Sequence, residues 1–255
     1  MNYIEDATAQ FKAILTDQLK RIDNLQKSND WVNYAEKKTI TIGICWGDGI
    51  GESISKQAQR VLEHVLSNDI AKNKIKLTII DGLTIDHRAA VKKAIPDDVL
   101  KQLKQCDVIL KGPTTTPQEG DGWPNIESAN VAMRRELDLF ACVRPIRIPE
   151  KSIDWIFFRE NTEGSYALGS KGIDVGNDMS IDFNVTTAYG SERIIRMAFD
   201  YAKANNKKRV TLVTKSNVIK ACDGRFSRIG FEIAKEYKKY DIHCTVCHGD
   251  YGNGQ

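Results

Sequence analysis

The first 36 residues show a helical pattern of apolar and charged positions. Apolar side chains recur at helical spacing, with charged residues between them, at Phe11, Ile14, Leu15, Leu19, Ile22 and Leu25. This spacing places the apolar side chains on one face of an amphipathic helix. We therefore predict an N-terminal helical extension over residues 1–36 that packs through this face, in one interpretation against a second subunit.

Beyond the extension, short apolar runs alternate with helical patterns. A buried strand is predicted over residues 39–46, followed by a glycine turn and a helix over residues 53–66. Further strands are predicted at 77–80, 108–110, 154–159, 181–186 and 209–213, with another helical stretch at 96–105. This alternation is typical of an α/β fold with a partly parallel sheet. Residues 164–184, rich in Gly, Ser and Asp, are predicted to form a protruding loop or hairpin.

Composition and charge exclude several classes of protein. Of the 255 residues, 41% are hydrophobic and 28% are charged, which is typical of a soluble globular protein. Lys and Arg exceed Asp and Glu by only 37 to 34, so we expect no nucleic-acid partner and no membrane-binding patch. No window approaches the roughly 18 consecutive apolar residues of a membrane span. The early acidic residues and scattered cysteines lead us to expect a cytoplasmic protein with free thiols.

The glycine turn Gly47-Asp48-Gly49-Ile50-Gly51 has two interpretations. Glycines between a strand and a helix can let the backbone approach a pyrophosphate at the helix N-terminus. Here the spacing is G-x-G-x-G, and Asp48 would place a carboxylate where the phosphate charge must lie. We therefore favour a structural turn over a dinucleotide site.

A second loop with candidate chemistry follows the strand at 108–110. Lys111-Gly-Pro-Thr-Thr-Thr-Pro117 places three hydroxyl groups on a rigid loop at a strand end, where α/β proteins commonly bind ligands. Threonine flanked by proline also suits an ordinary turn. By composition alone, the ordinary turn is the more frequent outcome.

Three arginines, a serine and an asparagine favour a site for a polycarboxylate. Arg134, Arg144 and Arg159 each carry a planar fork of donors that matches a carboxylate. Ser128 and Asn130 add neutral hydrogen bonds that would orient the ligand.

The alternative is a solvated helix with surface arginines, which would show a similar pattern. Asn130 and Arg134 are four residues apart and share one helix face, while Val131, Leu137 and Phe140 could face the core. The polycarboxylate interpretation is favoured because Arg144 and Arg159 lie in apolar, strand-like stretches. A guanidinium group in such a context is expected to need a buried anion.

These motifs resemble a known enzyme family. The run S-x-N-V-A-x-R at residues 128–134, R-P at 144–145 and R-E-N-T-E-x-x-Y at 159–166 is similar to isocitrate dehydrogenases, within the wider family of metal-dependent decarboxylating dehydrogenases of hydroxy acids. The resemblance covers roughly residues 37–237. It implies an isocitrate/isopropylmalate dehydrogenase-like fold with an incomplete large α/β domain over 37–140, and a small dimerisation domain with a clasp or hairpin over 141–240. Residues 241–255 would be a divergent tail.

The resemblance also implies roles for individual residues. A lysine in K-x-N-x-x-K, matched here by Lys215, assists removal of the substrate hydroxyl proton. A tyrosine matched by Tyr166 protonates the enolate carbon after decarboxylation. Thr115 and Thr116 would contact the substrate and the nicotinamide side of the cofactor. Lys215 and Asn217 would reach the neighbouring subunit's site in a homodimer.

The expected substrate is isocitrate. Isopropylmalate dehydrogenases place apolar residues at the positions of Ser128 and Asn130, because their substrate ends in an isopropyl group, whereas this pocket is polar. The expected reaction gives oxalosuccinate and then oxoglutarate, with NAD or NADP as cofactor and Mg²⁺ or Mn²⁺ as metal. The metal ligands stay unassigned, because the segments that carry them in relatives have no counterpart here. The alternative is a non-catalytic or regulatory truncated remnant that binds a polycarboxylate or dimerises.

The last residues contain Cys244-x-x-Cys247-His248, which matches a c-type haem attachment motif. Haem attachment normally requires export, and a zinc site would need His243 as a fourth ligand at an awkward spacing. We favour a third interpretation, in which a truncated or frame-shifted product ends in residues that were not selected for this fold.

Overall fold

A computed structural model of the chain describes residues 3–27, 32–118, 120–168 and 172–247. The chain divides into two compact units. The continuous unit is Asp30–Asp138, and the split unit joins Met1–Asn29 to Leu139–Gln255. The four-part division at residues 36, 140 and 240 stays a prediction.

The continuous unit is built on a three-stranded parallel sheet. β1 (Ile40–Cys45) lies between β2 (Ile75–Ile79) and β3 (Val108–Lys111) and pairs in parallel with both. The carboxyl ends of parallel strands share one edge of a sheet, so the loops after β1 and β3 meet there. The helices of this unit are α2 (Ile50–Val65), α3 (Ser67–Ala71), α4 (Ile85–Val91), α5 (Asp97–Leu103) and α6 (Ala129–Glu136), with a 3₁₀ turn at Tyr34–Glu36.

The core of the continuous unit includes one face of α6. Ala129, Ala132 and Met133 are buried there, three and four residues apart as a helix requires. Leu137 packs against this core as predicted. Val131 is half-buried, and its contribution to the core stays a prediction. Other members of this core are Cys45, Ile80, Leu83, Ile95, Val99 and Leu103.

The described residues of the split unit form three pairs of strands. β4 (Ala141–Ile148) and β5 (Ile153–Glu160) are antiparallel, as are β6 (Ile173–Val175) and β7 (Met179–Ile181). β8 (Arg209–Val213) and β9 (His243–Cys247) are parallel. The helices are α1 (Tyr3–Lys27), α7 (Ala188–Ala204) and α8 (Cys222–Tyr237), with 3₁₀ turns at Pro149–Lys151, Ser165–Ala167 and Lys238–Tyr240.

The core of the split unit lies where α7 and α8 pack against strands. Gly230 of α8 approaches β8 so closely that a Cβ atom on it would lie 2.3 Å from the Leu212 Cδ1 atom. A larger residue there would separate the helix from the strand. The buried residues of this core are Ile194, Ile195, Phe199, Ala202, Leu212, Ile233, Ala234, Tyr237 and Ile242.

Most predicted elements are confirmed, with differences near residue 181. The N-terminal helix is present, and its Phe11 ring lies 5.3 Å from the Phe183 ring of the same chain. The predicted hairpin is present as β6 and β7. The strand predicted over 181–186 is wrong, because β7 ends at Ile181 and Val185 makes only an isolated bridge to Gly164.

The end of the described chain belongs to the fold. Cys244 and Val246 of β9 pack against the core of the split unit. Cys244 and Cys247 are three residues apart in a strand, so their side chains point to opposite faces and do not share one ligand. This geometry fits neither the haem nor the zinc interpretation, and His248 lies outside the described residues. All six cysteines are free thiols, as predicted.

Within the described ranges, no helix combines the length and the apolar character needed to cross a membrane.

Candidate functional site

Asp48 holds the glycine turn after β1 in place. Its carboxylate accepts hydrogen bonds from the backbone N–H groups of Ile85 and Thr115, both at 2.8 Å, and its own N–H donates to the Pro113 carbonyl at 2.8 Å. At Gly47, where φ is +84°, a Cβ atom would lie 2.0 Å from the Pro113 oxygen, so only glycine fits. The turn therefore packs two loops together. A pyrophosphate would have to displace the Asp48 carboxylate, which opposes the dinucleotide interpretation.

Arg88 of α4 holds the same loops and was not singled out from the sequence. Its side chain is 0% exposed. It donates to the backbone carbonyls of Ala94 (2.9 Å), Thr115 (2.8 Å) and Glu127 (3.3 Å). Burial lowers the pKa of this guanidinium group. Because Glu127 immediately precedes Ser128, Arg88 fixes the backbone of two segments that carry predicted ligand residues.

Lys111, at the end of β3, is a further candidate. Its Nζ donates to the Gly112 carbonyl (2.8 Å) and to the Thr114 hydroxyl (3.0 Å). Burial lowers the pKa of Lys111 to about 8, and the nearby Arg88 charge acts in the same direction, while Cys45 opposes both. A lysine with a lowered pKa beside a candidate ligand loop is a functional candidate. The run 111–117 marked the loop in the sequence, but only burial reveals the altered lysine.

The predicted ligand residues of the continuous unit lie on the loop after β3 and at the start of α6. Thr115 is half-buried and Thr116 is exposed. Ser128 directly precedes α6, and its side chain makes no capping hydrogen bond. Asn130 is exposed and Arg134 is half-buried, one turn apart on the same helix face, as predicted.

An ion pair fixes the segment that leads into α6. The Glu127 carboxylate accepts hydrogen bonds from Nη1 (2.8 Å) and Nη2 (2.9 Å) of Arg135. These hydrogen bonds raise the pKa of Arg135. With the Arg88 contact to the Glu127 carbonyl, both the backbone and the side chain of Glu127 are held. Ser128 and Asn130 therefore follow a fixed backbone.

In the split unit, Arg144 and Arg159 lie on one face of the β4–β5 pair. Cys142 is opposite Arg159, and Arg144 is two residues further along β4, so the two arginines are diagonal neighbours. The Arg144 Nε donates to the Cys142 Sγ at 3.2 Å. Both arginines are exposed. The expectation that their apolar flanks bury them is wrong, because strand residues alternate and Phe158 takes the core side.

Tyr166 lies next to Arg159. The Arg159 Cζ is 5.8 Å from the centre of the Tyr166 ring, and its Nη2 donates to the Asn161 side chain at 3.0 Å. A guanidinium group over an aromatic ring contributes about 0.5–1 kcal/mol at exposed sites. The structure thus brings together a predicted substrate-binding arginine and the predicted proton donor.

Two carboxylates, the buried Glu163 and the half-buried Glu160, fix the segment 159–166. Glu163 accepts hydrogen bonds from the Thr187 N–H (2.8 Å) and hydroxyl (2.5 Å). Glu160 accepts from the N–H (2.8 Å) and hydroxyl (2.7 Å) of Thr162 and from the Glu163 N–H (2.5 Å). Burial raises the pKa of Glu160, and the hydrogen bonds from Thr162 and Glu163 oppose that shift. No role for these carboxylates was predicted from the sequence, and the partner of Glu163, Thr187, lies 24 residues further along the chain.

Lys215 and Asn217 share one turn after β8. The Lys215 N–H donates to the Asp223 carboxylate at 2.6 Å, and its carbonyl accepts from the N–H groups of Val218 (2.9 Å) and Ile219 (2.8 Å). Lys215 is half-buried and Asn217 is exposed. The first turn of α8 therefore sets the backbone position of the predicted catalytic lysine.

Each unit contributes part of the predicted set. The continuous unit carries Thr115, Thr116, Ser128, Asn130 and Arg134, and the split unit carries Arg144, Arg159, Tyr166, Lys215 and Asn217. Among the residues that the structure describes, no three His, Cys, Asp or Glu side chains group together as ligands for a metal ion. The described residues therefore include no three-ligand group for the expected Mg²⁺ or Mn²⁺.

Comparison with known proteins gives consistent matches. The family model for isocitrate/isopropylmalate dehydrogenase matches residues 41–246. The NADP isocitrate dehydrogenase of Archaeoglobus fulgidus is 35% identical over 238 residues, covering 82% of this chain and 56% of the relative. The homoisocitrate dehydrogenase of Methanocaldococcus jannaschii is 34% identical over 207 residues, covering 75% of this chain and 56% of the relative.

Solved structures agree with these matches. The crystal structure of isocitrate dehydrogenase from Methylococcus capsulatus aligns with a TM-score of 0.68 and 35% identity, covering 82% of this chain and 60% of that chain. The chain spans about half the length of the curated relatives it matches. The family match reaches into β9, so the expectation that the resemblance ends near residue 237 is wrong.

Proposed function

The chain belongs to the isocitrate/isopropylmalate dehydrogenase family, and on that premise we propose that it takes part in the oxidative decarboxylation of isocitrate to oxoglutarate. NAD or NADP would supply the hydride acceptor, and Mg²⁺ or Mn²⁺, for which the described residues contain no cluster of three ligands, would supply charge stabilisation. The observation that carries the proposal is the placement of Arg159 against the Tyr166 ring, with Arg144 on the same sheet face.

The proposal assigns substrate binding to polar and cationic side chains. Arg134, Arg144 and Arg159 bind substrate carboxylates, because guanidinium donors match carboxylate oxygens in pairs. Ser128 and Asn130 lie at the N-terminal end of α6, where the helix dipole favours an anion. Their polarity supports a third carboxylate over an alkyl tail.

Proton transfer is assigned to two residues. Lys215 assists removal of the proton from the substrate hydroxyl group, and Tyr166 donates its hydroxyl proton to the enolate carbon after carbon dioxide has left. The nicotinamide, when bound, accepts the hydride from the carbon that carried the hydroxyl group. Thr115, Thr116 and Asn217 supply hydroxyl and amide groups that suit the nicotinamide side of that cofactor.

A second substrate has support from one relative. The Methanocaldococcus jannaschii protein named homoisocitrate dehydrogenase is 34% identical to this chain, nearly as similar as the isocitrate enzyme of Archaeoglobus fulgidus. Homoisocitrate differs by one methylene group, and one methylene in a pocket is worth only about 1–3 kcal/mol in specificity. Isocitrate is preferred in this proposal, and homoisocitrate is the competing substrate.

Binding and turnover experiments test the proposal. Isocitrate and homoisocitrate affinities would be measured by calorimetry, and NAD and NADP reduction by absorbance with Mg²⁺. Arg144→Met and Arg159→Met are expected to weaken isocitrate binding at least about tenfold, since a charged hydrogen bond contributes about 1.5–3 kcal/mol. Arg147→Met is the matched control, because Arg147 lies on the other face of β4 and pairs with Asp154 at 3.2 Å.

The outcomes separate the alternatives. Isocitrate binding without nicotinamide reduction would favour the non-catalytic, polycarboxylate-binding remnant. Equal losses in the Arg159 and Arg147 variants would contradict the assignment of these arginines to the substrate.

We extend the proposal to a homodimer in which Lys215 and Asn217 serve the neighbouring subunit's site. Tyr166→Phe and Lys215→Met would each abolish turnover alone. In mixed dimers, one of the two shared sites would keep both residues, so mixing the two inactive variants is expected to restore part of the activity. Failure of mixing to restore activity, with exchange of subunits verified by mass, would refute the shared site.

A further inference from the structure

Arg21 connects the N-terminal helix to the R-E-N-T-E motif. It lies in α1, ahead of residue 41, where the family match begins. Its Nη2 donates to the carbonyl (3.1 Å) and the hydroxyl (3.3 Å) of Thr162, and its Nη1 lies 3.8 Å from a Glu163 carboxylate oxygen. The Arg21 side chain is only 15% exposed. A long side chain held this way is part of the packing around the motif, not a surface group.

The residues that Arg21 contacts are central to the motif. Thr162 is 3% exposed, and its hydroxyl also accepts a hydrogen bond from Nη2 of Arg193 on α7 at 3.0 Å. Glu163 is 5% exposed and binds Thr187, the N-terminal cap of α7, whose hydroxyl in turn accepts from the Gly190 N–H at 2.9 Å. Arg21 therefore joins α1 to the same network that anchors α7.

That network determines where two proposed site residues lie. Arg159 and Tyr166 stand at the two ends of the segment whose middle Arg21 contacts. The Tyr166 N–H donates to the Glu163 carbonyl at 3.3 Å, so the position of Tyr166 depends on the Glu163 backbone. A segment held in its binding conformation loses less entropy when it binds a ligand.

We propose that Arg21 is a positioning residue for Arg159 and Tyr166. From α1 it holds the segment 159–166 in the conformation that binds the substrate carboxylate. The identity of that ligand rests on the proposed function, whereas the effect of Arg21 on the segment does not.

The docking of α1 does not rest on Arg21 alone. Phe11 lies ten residues before Arg21 in α1, and its ring centre is 5.3 Å from that of Phe183. Ile14, Leu15, Leu19 and Ile22 line an apolar groove of about 380 Å³ together with residues 183–189. Replacement of Arg21 by methionine keeps an apolar stem for this packing, so α1 is expected to stay in place while the polar contact is lost.

Hydrogen exchange with calorimetry tests the proposal on the full chain. In Arg21→Met, the amides of Thr162, Glu163 and Tyr166 are expected to exchange faster, with exchange across α1 unchanged. Isocitrate is expected to bind about tenfold more weakly, the effect of about 1.4 kcal/mol at 25 °C. Arg21→Lys keeps one donor and should restore part of both effects. Lys20→Met, at the adjacent exposed position of α1, is the control and should change neither.

Each outcome has one meaning. Faster exchange and weaker binding in Arg21→Met, partly rescued by lysine, supports the proposal. If the unaltered protein binds no isocitrate, the proposed substrate is refuted. Faster exchange in Arg21→Met would then still support the role of Arg21 in holding the segment. Unchanged exchange at residues 162–166, exchange that rises equally across α1, or faster exchange with unchanged isocitrate affinity overturns the proposal.

Discussion

Two segments that carry proposed ligand residues are fixed by arginines in different ways. In the continuous unit, Arg88 is fully buried and donates to three backbone carbonyls, while Asp48 accepts from the Thr115 N–H. In the split unit, Arg21 is 15% exposed and donates to Thr162. Arg88 lies inside the family-matched stretch 41–246, and Arg21 precedes it. An arginine that holds a backbone carbonyl can therefore lie within the stretch that matches the family or in the residues that precede that stretch.

The difference in burial sets the expected cost of disruption. Carbonyls that lose a buried donor cannot turn to water, and each unsatisfied group costs about 1–3 kcal/mol. Arg88 donates to three carbonyls, whereas Arg21 donates to one carbonyl and to the Thr162 hydroxyl, which has a second arginine donor in Arg193. Loss of Arg88 should therefore threaten folding, and loss of Arg21 should mainly loosen one segment.

The largest effect is expected for Arg88→Met. Three carbonyls of half-buried residues would lose their donor, so the free energy of unfolding should fall by about 3–5 kcal/mol. Urea denaturation followed by circular dichroism measures this loss. Arg60→Met on α2 is the control, because Arg60 is exposed and donates to the Gln57 side chain at 2.6 Å. Equal stability of the two variants would show that Arg88 contributes no more to the stability of the fold than an exposed arginine does.

The second largest loss of stability is expected for Glu163→Gln in the split unit. Glutamine keeps one acceptor oxygen in place of two and loses the negative charge, so one of the two Thr187 hydrogen bonds is lost and the free energy of unfolding should fall by about 2–3 kcal/mol. Hydrogen exchange should rise at the N-terminal turn of α7 and at residues 162–166. The control is Glu192→Gln, an exposed α7 carboxylate paired with Arg196 at 2.8 Å. A loss no greater than that of the control would show that Glu163 does not anchor the segment.

The third prediction concerns how the stability of the Lys111→Met variant depends on pH. The pKa of Lys111 is about 8 in the folded protein against an ordinary value of 10.5. The unfolded chain therefore binds more protons between these values, and Lys111 makes stability rise as pH rises through that window. The stability of the methionine variant relative to the original protein should fall by on the order of 2 kcal/mol from about pH 7 to about pH 9.5.

Measurement by urea denaturation at a series of pH values checks this expectation. The difference between the two proteins cancels the contribution of Tyr237, whose pKa burial raises to about 12, and burial raises the pKa of Cys45 to about 11, above the pH window used. A difference that stays constant with pH would show that Lys111 is not desolvated in solution.

The smallest effect is expected for Arg135→Met. The pair with Glu127 is bidentate, but its side chains are 31% and 21% exposed, so its loss should cost about 1 kcal/mol. Thermal unfolding at low and high salt measures this cost, which should shrink as salt screens the pair. Lys93→Met removes the more exposed pair with Asp97 and should cost less. A larger loss for Lys93→Met would reverse this ranking.

The outcomes for individual elements show what periodicity can predict. β1, β3 and β8 were placed within one or two residues, because short apolar runs bounded by turn residues are local signals. The strand expected over 181–186 fails because β7 ends at Ile181 and, within the described ranges, the residues after it pair only through the isolated bridge between Gly164 and Val185. The burial expected for Arg144 and Arg159 fails because composition around a strand residue does not say which face it takes.

The sequence by itself determined the family, the α/β alternation and the identities of the candidate ligand residues, because these depend on residue types at short spacing. Tertiary structure alone decided which groups are buried and what they contact. Arg21 and Thr162 are 141 residues apart in the chain, and Asp48 and Thr115 are 67 apart. The pKa of Lys111 likewise follows from the burial of one side chain at a strand end. Contacts over such separations depend on how the elements pack, and no local pattern of apolar and polar residues records them.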